Sequence, residues 1–255
     1  MTPEYTLLDP GGNRTILVTQ SVRSEKRASV AAELMKLEPT AEQVGFIGPG
    51  SGETELSLSM AGGEFCGNAS MCAAVYLAES RGLREFSGAL RVSGAPSPVV
   101  VKVCSTPDTN GIWNGSVEMP SAQRIETVTF PDKSAAPVVF FPGIAHCVFS
   151  GEPERKAAEE KIKSYCAFLG ADALGFMFVS GERLKPLVYV PGADTLFWES
   201  SCGSGSCAVA ALTAKRTGRP VSLTLFQPGG KLDVSADTNG KVILRGTVAI
   251  IKRGN

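Results

Sequence analysis

The chain has 255 residues, enough for one large or two modest domains with buried cores. Hydrophobic residues make up 43% and charged residues 20%, and Lys+Arg and Asp+Glu both number 25, so charge gives no basis for nucleic acid or an anionic membrane as partner. Residues 1–20 lack a secretory apolar core, the apolar stretches are strand-length, and seven cysteines without a disulfide spacing point to a reducing cytoplasm.

In chain order, Tyr5–Leu8 and Thr15–Val18 read as strands, and Ser24 caps a helix that runs to about Leu37 and stops before Pro39. Val44–Ile47 and Leu56–Met60 follow as strands, the latter alternating Leu56, Leu58 and Met60. A helix after Cys66 precedes strands near Ala89–Ser93, Val99–Cys104 and Gly115–Met119. Pro120 to Pro137 reads as a linker, rich in proline and poor in helix formers. The second half repeats the order: strands at Val138–Phe141 and Cys147–Phe149, a helix over about Pro153–Leu169 ended by Gly170, then strands at Phe176–Val179, Leu187–Val190 and Thr195–Trp198. A helix after Cys202 and strands at Val221–Phe226, Lys231–Ala236 and Lys241–Ile251 complete the chain.

Two local units match. Cys66-Gly67-Asn68-Ala69-Ser70 and Cys202-Gly203-Ser204-Gly205-Ser206 each lead into an alanine-rich helical run, and each run stops at a glycine sixteen residues past its cysteine, Gly82 and Gly218. The pattern sets both thiols at helix N-termini, where free N–H groups and the helix dipole favour thiolate. A lone cysteine is usually a small hydrophobe. Two in equivalent positions suggest an acid–base pair instead, since inverting a carbon needs one group to remove a proton and another to return one. The helix ends, through Gly67, Asn68, Gly203 and Ser204, would also bind a substrate carboxylate.

Other residues point elsewhere or nowhere. Cys72 and Cys207 lie on the same helices with spacing too loose for a structural zinc knuckle and read as core filler; Cys104, Cys147 and Cys166 read as packing residues. His146 is the only histidine, so a Ser–His–Asp triad would depend on it alone; it reads as structural, with a part in the cleft as the other option. Gly229-Gly230 reads as a tight turn, because no Lys-Ser/Thr follows to make a phosphate loop.

Phe65-Cys66-Gly67-Asn68-Ala69 and Cys202-Gly203-Ser204-Gly205, with Gly12-Asn13, Gln43-Val44-Gly45, His146-Cys147-Val148 and Gln227-Pro228-Gly229-Gly230, resemble the cofactor-independent two-cysteine racemases and epimerases typified by diaminopimelate epimerase. Within that superfamily, Asn13–Val18, Glu42–Ile47, Glu64–Asn68 and Trp198–Gly205 look like the histidine racemases of opine-metallophore (staphylopine-type) biosynthesis.

The resemblance implies an α+β fold of two pseudo-symmetric halves, each a curved mixed β-sheet or barrel around a central Cys-bearing helix. The halves would span 1–122 and 123–243, with a final strand at about 244–255 returning to the first and the two cysteines meeting across a cleft. It further implies a PLP-independent amino-acid racemase with Cys66 and Cys202 as acid and base, an amino acid as small-molecule partner, and no metal or organic cofactor. A homodimer stays open. Asn13, Gln43, Asn68 and Glu199 carry over as substrate-binding positions, and Glu199 is suited to an α-ammonium.

One departure bears on substrate. The epimerases carry Glu-Arg ahead of the second cysteine, whereas this chain has Glu199-Ser200 and no arginine between Arg183 and Arg216. The Asn-Pro step that precedes their histidine is Ile144-Ala145 here. A distal carboxylate buried without a charged partner would cost several kcal/mol, which disfavours diaminopimelate. Phe65 and Trp198 would offer a flat surface to an imidazole. Diaminopimelate epimerase and proline-type racemase are the alternatives within the superfamily, and a thiol-pair redox sensor is the alternative outside it.

Overall fold

One order of elements occurs twice. The first run is β1 (Tyr5–Asp9), β2 (Thr15–Val18), α1 (Arg27–Leu37), β3 (Gln43–Pro49), β4 (Leu56–Met60), α2 (Gly67–Ser80), β5 (Glu85–Val92), β6 (Val99–Ser105) and β7 (Ile112–Met119). After β8 (Arg124–Thr129) the second run is β9 (Ala135–Phe141), β10 (Ile144–Ser150), α3 (Arg155–Leu169), β11 (Leu174–Ser180), β12 (Arg183–Val190), α4 (Gly203–Thr217), β14 (Val221–Gln227), β15 (Gly230–Ala236) and β16 (Val242–Gly254), with a short β13 (Thr195–Trp198) before α4. The computed structural model describes residues 3–107, 109 and 111–254.

The strand pairing repeats with the elements. β2–β3 and β10–β11 are parallel, as are β4–β5 and β12–β14. The hairpins β1–β2, β3–β4 and β5–β6 are matched by antiparallel β9–β10, β11–β12 and β14–β15. Mixed sheets of this kind need a helix in each parallel crossover, and α1, α2, α3 and α4 fill those places. The chain divides into two compact units, Met1–Glu118 with Arg245–Asn255, and Met119–Leu244.

In the first unit the strands run in the order β1 to β7, then β16, which pairs back antiparallel to β1 and closes the sheet. α2 lies inside. Eleven of its fourteen residues are buried, which explains an apolar composition on all faces rather than on one stripe. Small residues make the close approach possible: a Cβ on Gly115 of β7 would meet Met71 Sδ at 3.1 Å. In the second unit α4 packs against β9, β10, β11, β14 and β15, and ten of its fifteen residues are buried. α3 is amphipathic instead, burying Ala158, Ile162, Tyr165 and Cys166 against an aromatic cluster that includes Phe130 and Phe176.

Three expectations need correction. The proline-rich stretch 120–137 is not a linker: β8 pairs with β9 from Arg124↔Phe140 to Thr129↔Ala135. Pro131 falls in the turn between them, and Pro137 faces Thr127 of β8 before the pairing of β9 with β10 begins at Val138↔Cys147, so its missing N–H breaks no bond on that side. Ser24 does not cap α1. It opens a single 3-10 turn, and its hydroxyl bonds Glu25 instead. Cys104 is not a packing residue; the alternation of β6 turns Val99, Val101 and Val103 inward and leaves Cys104 exposed. Gly229 does lie in a tight turn, with Gln227↔Gly230 as the closing pair of the β14–β15 hairpin.

Candidate functional site

Both cysteines cap their helices in the same way. Cys66 has extended dihedrals (φ −132°, ψ 112°), and its Sγ accepts a hydrogen bond from the Ala69 N–H at 3.4 Å. Cys202 repeats this (φ −115°, ψ 108°), with Gly205 N–H donating to Sγ at 3.4 Å. In each unit the serine four residues on donates its hydroxyl to the cysteine carbonyl: Ser70 Oγ to Cys66 O at 2.7 Å, and Ser206 Oγ to Cys202 O at 2.8 Å. The duplicated Cys-Gly-x-x-Ser words therefore have one structural meaning. The thiol takes the place of a capping oxygen at the N-terminus of a buried helix.

In the first unit Asn13, Thr15, Glu42 and Gln43 form a polar cluster. The β1–β2 turn is made by Gly11 and Gly12, both at positive φ, and delivers Asn13, which is buried. Asn13 Nδ2 donates to Glu42 at 2.8 Å, and Gln43 Nε2 donates to Asn13 Oδ1 and, at 2.7 Å, to Thr15 Oγ1. Asn13 and Gln43 are thus brought together. Thr15 also bonds the thiol of Cys72, which burial first, and the nearby Cys66 next, push well above the ordinary thiol range. Gly67 and Asn68 open α2 in buried positions, and Asn68 Oδ1 has no hydrogen-bond partner among the described residues.

Around the second thiol the support is different. Gln227, the last residue of β14, accepts from the Cys202 N–H at 2.8 Å and donates to Ser206 Oγ at 3.1 Å. Gly229 N–H, in the same hairpin turn, donates to the carbonyl of Ser200 at 2.8 Å, and the N–H of Glu199 donates to Pro186 O at 3.0 Å. Gly203 begins α4, and Ser204 Oγ lies 3.0 Å from His146 Nε2 and 3.6 Å from Cys202 Sγ. Ser201 Oγ is buried without a partner among the described residues.

Cys202 does not behave as its helix position alone suggests. It is 5% exposed, and burial, followed by the Glu199 carboxylate, pushes its thiol well above the ordinary range. The Gly205 N–H and Ser204 hydroxyl pull the other way and are outweighed. The expected thiolate preference of a helix N-terminus is therefore overturned at this cysteine: desolvation of a charged sulfur exceeds the help from the helix end.

Trp198 also departs from expectation. Its indole N–H donates to Glu159 on α3 at 2.6 Å, its ring stacks on Phe178, and Arg155 sits 4.7 Å from the ring centroid. It binds β13 to α3, so its ring is not a platform for an imidazole. Among residues that the sequence did not single out, Thr15 and Glu42 extend the Asn13–Gln43 cluster, and Gln227 ties the hairpin to α4. Gln227 stood within a recognisable Gln-Pro-Gly-Gly word, but nothing in the word shows that its amide reaches a backbone 25 residues away. Cys72 and Cys207 are fully buried, as core filler should be, and no group of three or more metal-ligating side chains occurs among the described residues.

Comparison with known proteins settles the family. The profile of the histidine racemase CntK N-terminal domain matches residues 4–255. The chain belongs to that histidine racemase family. It is 30% identical to a histidine racemase of Staphylococcus aureus over 249 residues, covering 91% of this chain and 88% of that one. A histidine racemase of Fusobacterium nucleatum is 29% identical over 260 residues, covering 98% and 95%. Among solved structures, a Pseudomonas aeruginosa protein described as a predicted epimerase superposes with a TM-score of 0.74 at 18% identity, over 99% of this chain and 98% of that chain, and shares the fold. As in its family, the chain is a racemase-type isomerase with a diaminopimelate epimerase-like fold. No helix among the described residues is long and apolar enough to cross a membrane.

Proposed function

We propose that this enzyme interconverts L- and D-histidine without an organic cofactor, Cys66 and Cys202 serving as the two acid–base groups. The observation that carries the reading is the paired cap: each thiol sits at the start of a buried helix with one backbone N–H on its sulfur. A racemase needs a group that takes the α-hydrogen and another that supplies one, and sulfur can do either at moderate pH when its surroundings tune it. The charge state would alternate, each cysteine leaving one turnover in the state the opposite enantiomer requires.

The substrate is anchored, in this reading, by polar groups of the two cap segments and the Asn13–Gln43 cluster. Asn68 Oδ1, a buried acceptor with no hydrogen-bond partner among the described residues, can take an ammonium proton. The N-terminal N–H groups at Gly67, Gly203 and Ser204 suit a carboxylate. Asn13, Gln43, Glu199 and Ser200 complete the set. Histidine is favoured by the named relatives and by the absence of arginine between Arg183 and Arg216, which leaves no guanidinium beside Glu199 in sequence for a distal carboxylate. A cytoplasmic enzyme feeding D-histidine to opine-metallophore assembly fits this reading.

Kinetics on L-histidine, meso-diaminopimelate and L-proline test it. L-histidine should give the highest kcat/KM. If diaminopimelate exceeds it, the argument from Ser200 fails; if none of the three is turned over and the protein responds only to oxidant, a thiol-pair sensor replaces the racemase.

A further inference from the structure

We infer that His146 is a positioning residue, holding the Ser204 hydroxyl as a donor toward Cys202 Sγ so that this sulfur can carry negative charge in spite of its burial and of Glu199. The inference rests on the reading of Cys202 as an acid–base group.

Three facts make the case. His146 is fully buried on β10, in a T-shaped contact with Phe141, and its Nε2 lies 3.0 Å from Ser204 Oγ. The other ring nitrogen, Nδ1, faces the backbone of β11. The parallel register sets His146 opposite Gly175, where a Cβ would come within 2.2 Å of Nδ1, and no polar partner reaches that atom among the described residues. Ser204 Oγ in turn lies 3.6 Å from Cys202 Sγ, within reach of a hydrogen bond to sulfur.

These positions select a tautomer. A buried N–H without an acceptor is rarer and less tolerable than an unpaired lone pair. Nδ1 therefore carries the lone pair and Nε2 the proton. Nε2–H donates to Ser204 Oγ, which leaves the serine proton to point at Cys202. The same burial keeps the imidazole neutral, with its pKa lowered to about 3. It is no proton acceptor for the sulfur; it fixes the direction of one hydroxyl.

The consequence is a balance at Cys202. Glu199 favours S–H, while Ser204 and the Gly205 N–H favour S⁻. Without His146 the serine hydroxyl turns freely and can accept from S–H as readily as donate to S⁻. In the first unit Asn68 stands where Ser204 does, and its Oδ1 has no hydrogen-bond partner among the described residues.

Because the chain has one histidine, its imidazole signals are unambiguous. Long-range 1H–15N NMR of the substrate-free enzyme should show a neutral ring protonated at Nε2 from about pH 5 to pH 9, a window above the shifted pKa and on both sides of the free value. A ring protonated at Nδ1, or an imidazolium in that window, overturns the inference. The second readout is the Cys202 thiolate absorbance, taken as each protein minus its own Cys202→Ala form. His146→Leu and Ser204→Ala should each raise the midpoint by about one pH unit, the scale of a hydrogen bond to a charged group. The double variant should add nothing to Ser204→Ala, and His146→Gln, which keeps an N–H donor, should restore the midpoint. A midpoint unmoved in Ser204→Ala, or additive effects in the double variant, refutes the relay. This titration does not depend on turnover, so it stands or falls separately from the racemase reading.

Discussion

The two units build the same thiol cap and then surround it differently. In the first, Cys66 is half-buried, Asn13, Thr15, Glu42 and Gln43 bond to one another where the chain enters β2 and β3, and Asn68 Oδ1 has no hydrogen-bond partner among the described residues. In the second, Cys202 is buried, its backbone is clamped by Gln227, and its sulfur lies between Glu199 and Ser204. A duplicated backbone has thus produced one half-buried cysteine and one buried cysteine. Two acid–base groups that exchange roles need not be equivalent at rest.

The largest effects should come from removing either sulfur. Cys66→Ala and Cys202→Ala should each lower racemisation by at least about a hundredfold, the low end of what a positioned acid–base group contributes. Polarimetry or chiral chromatography of L-histidine reads this. Retention of more than about a tenth of wild-type turnover, roughly 1.4 kcal/mol of barrier, in either variant would make that unit's cysteine dispensable.

Alkali should separate the units by stability. Among the described thiols with a stated shift, burial raises Cys147, Cys166, Cys202 and Cys207 in the second unit and Cys72 in the first. A thiol whose folded pKa lies above its unfolded value of about 8.5 stabilises fully below that pH and loses its contribution as pH rises toward the folded value. Each such group costs up to about 1.4 kcal/mol per pH unit above that point. Hydrogen exchange followed by mass spectrometry at pH 10 should show β10, β11 and α4 opening before α2; simultaneous opening would show that buried thiols do not set the difference.

The clamp at Cys202 is smaller in scale. Gln227→Ala removes the acceptor of the Cys202 N–H and one donor to Ser206 Oγ and should cost about 1–3 kcal/mol in unfolding by urea, with lower kcat because the cap moves. An unchanged midpoint would mean that the hairpin is not what holds α4. Smallest is Trp198→Phe, which keeps the ring and loses the bond to Glu159: about 1 kcal/mol, with KM for histidine unaltered. A raised KM would return the indole to the substrate.

Much of this was legible in the sequence, for physical reasons that differ by element. The Cys-Gly-x-x-Ser words, the alanine runs and the terminating Gly82 and Gly218 all act within a few residues of one another, so the caps and helix lengths could be read locally. The stretch 120–137 reads as a linker because proline content alone does not tell a linker from strands whose prolines stand at ends and turns. Trp198 reads as a surface for substrate because the sequence shows that an aromatic flanks the motif but not that Glu159, on α3, accepts its N–H. The His146–Ser204 contact joins residues 58 apart, one on β10 and one in the first turn of α4, and the raised Cys202 thiol follows first from burial; neither can be read from neighbouring residues.

The central claim is that two thiols, one in each unit, divide the proton transfers. It is tested most directly by L-histidine in D2O, stopped while conversion is still small. Separate groups for removal and return predict D-histidine carrying deuterium at Cα while recovered L-histidine still carries protium, because the product receives its hydrogen from a solvent-equilibrated sulfur. D-histidine that retains the original protium, or deuterium appearing equally in both enantiomers from the start, would show one group serving both faces and would contradict the account.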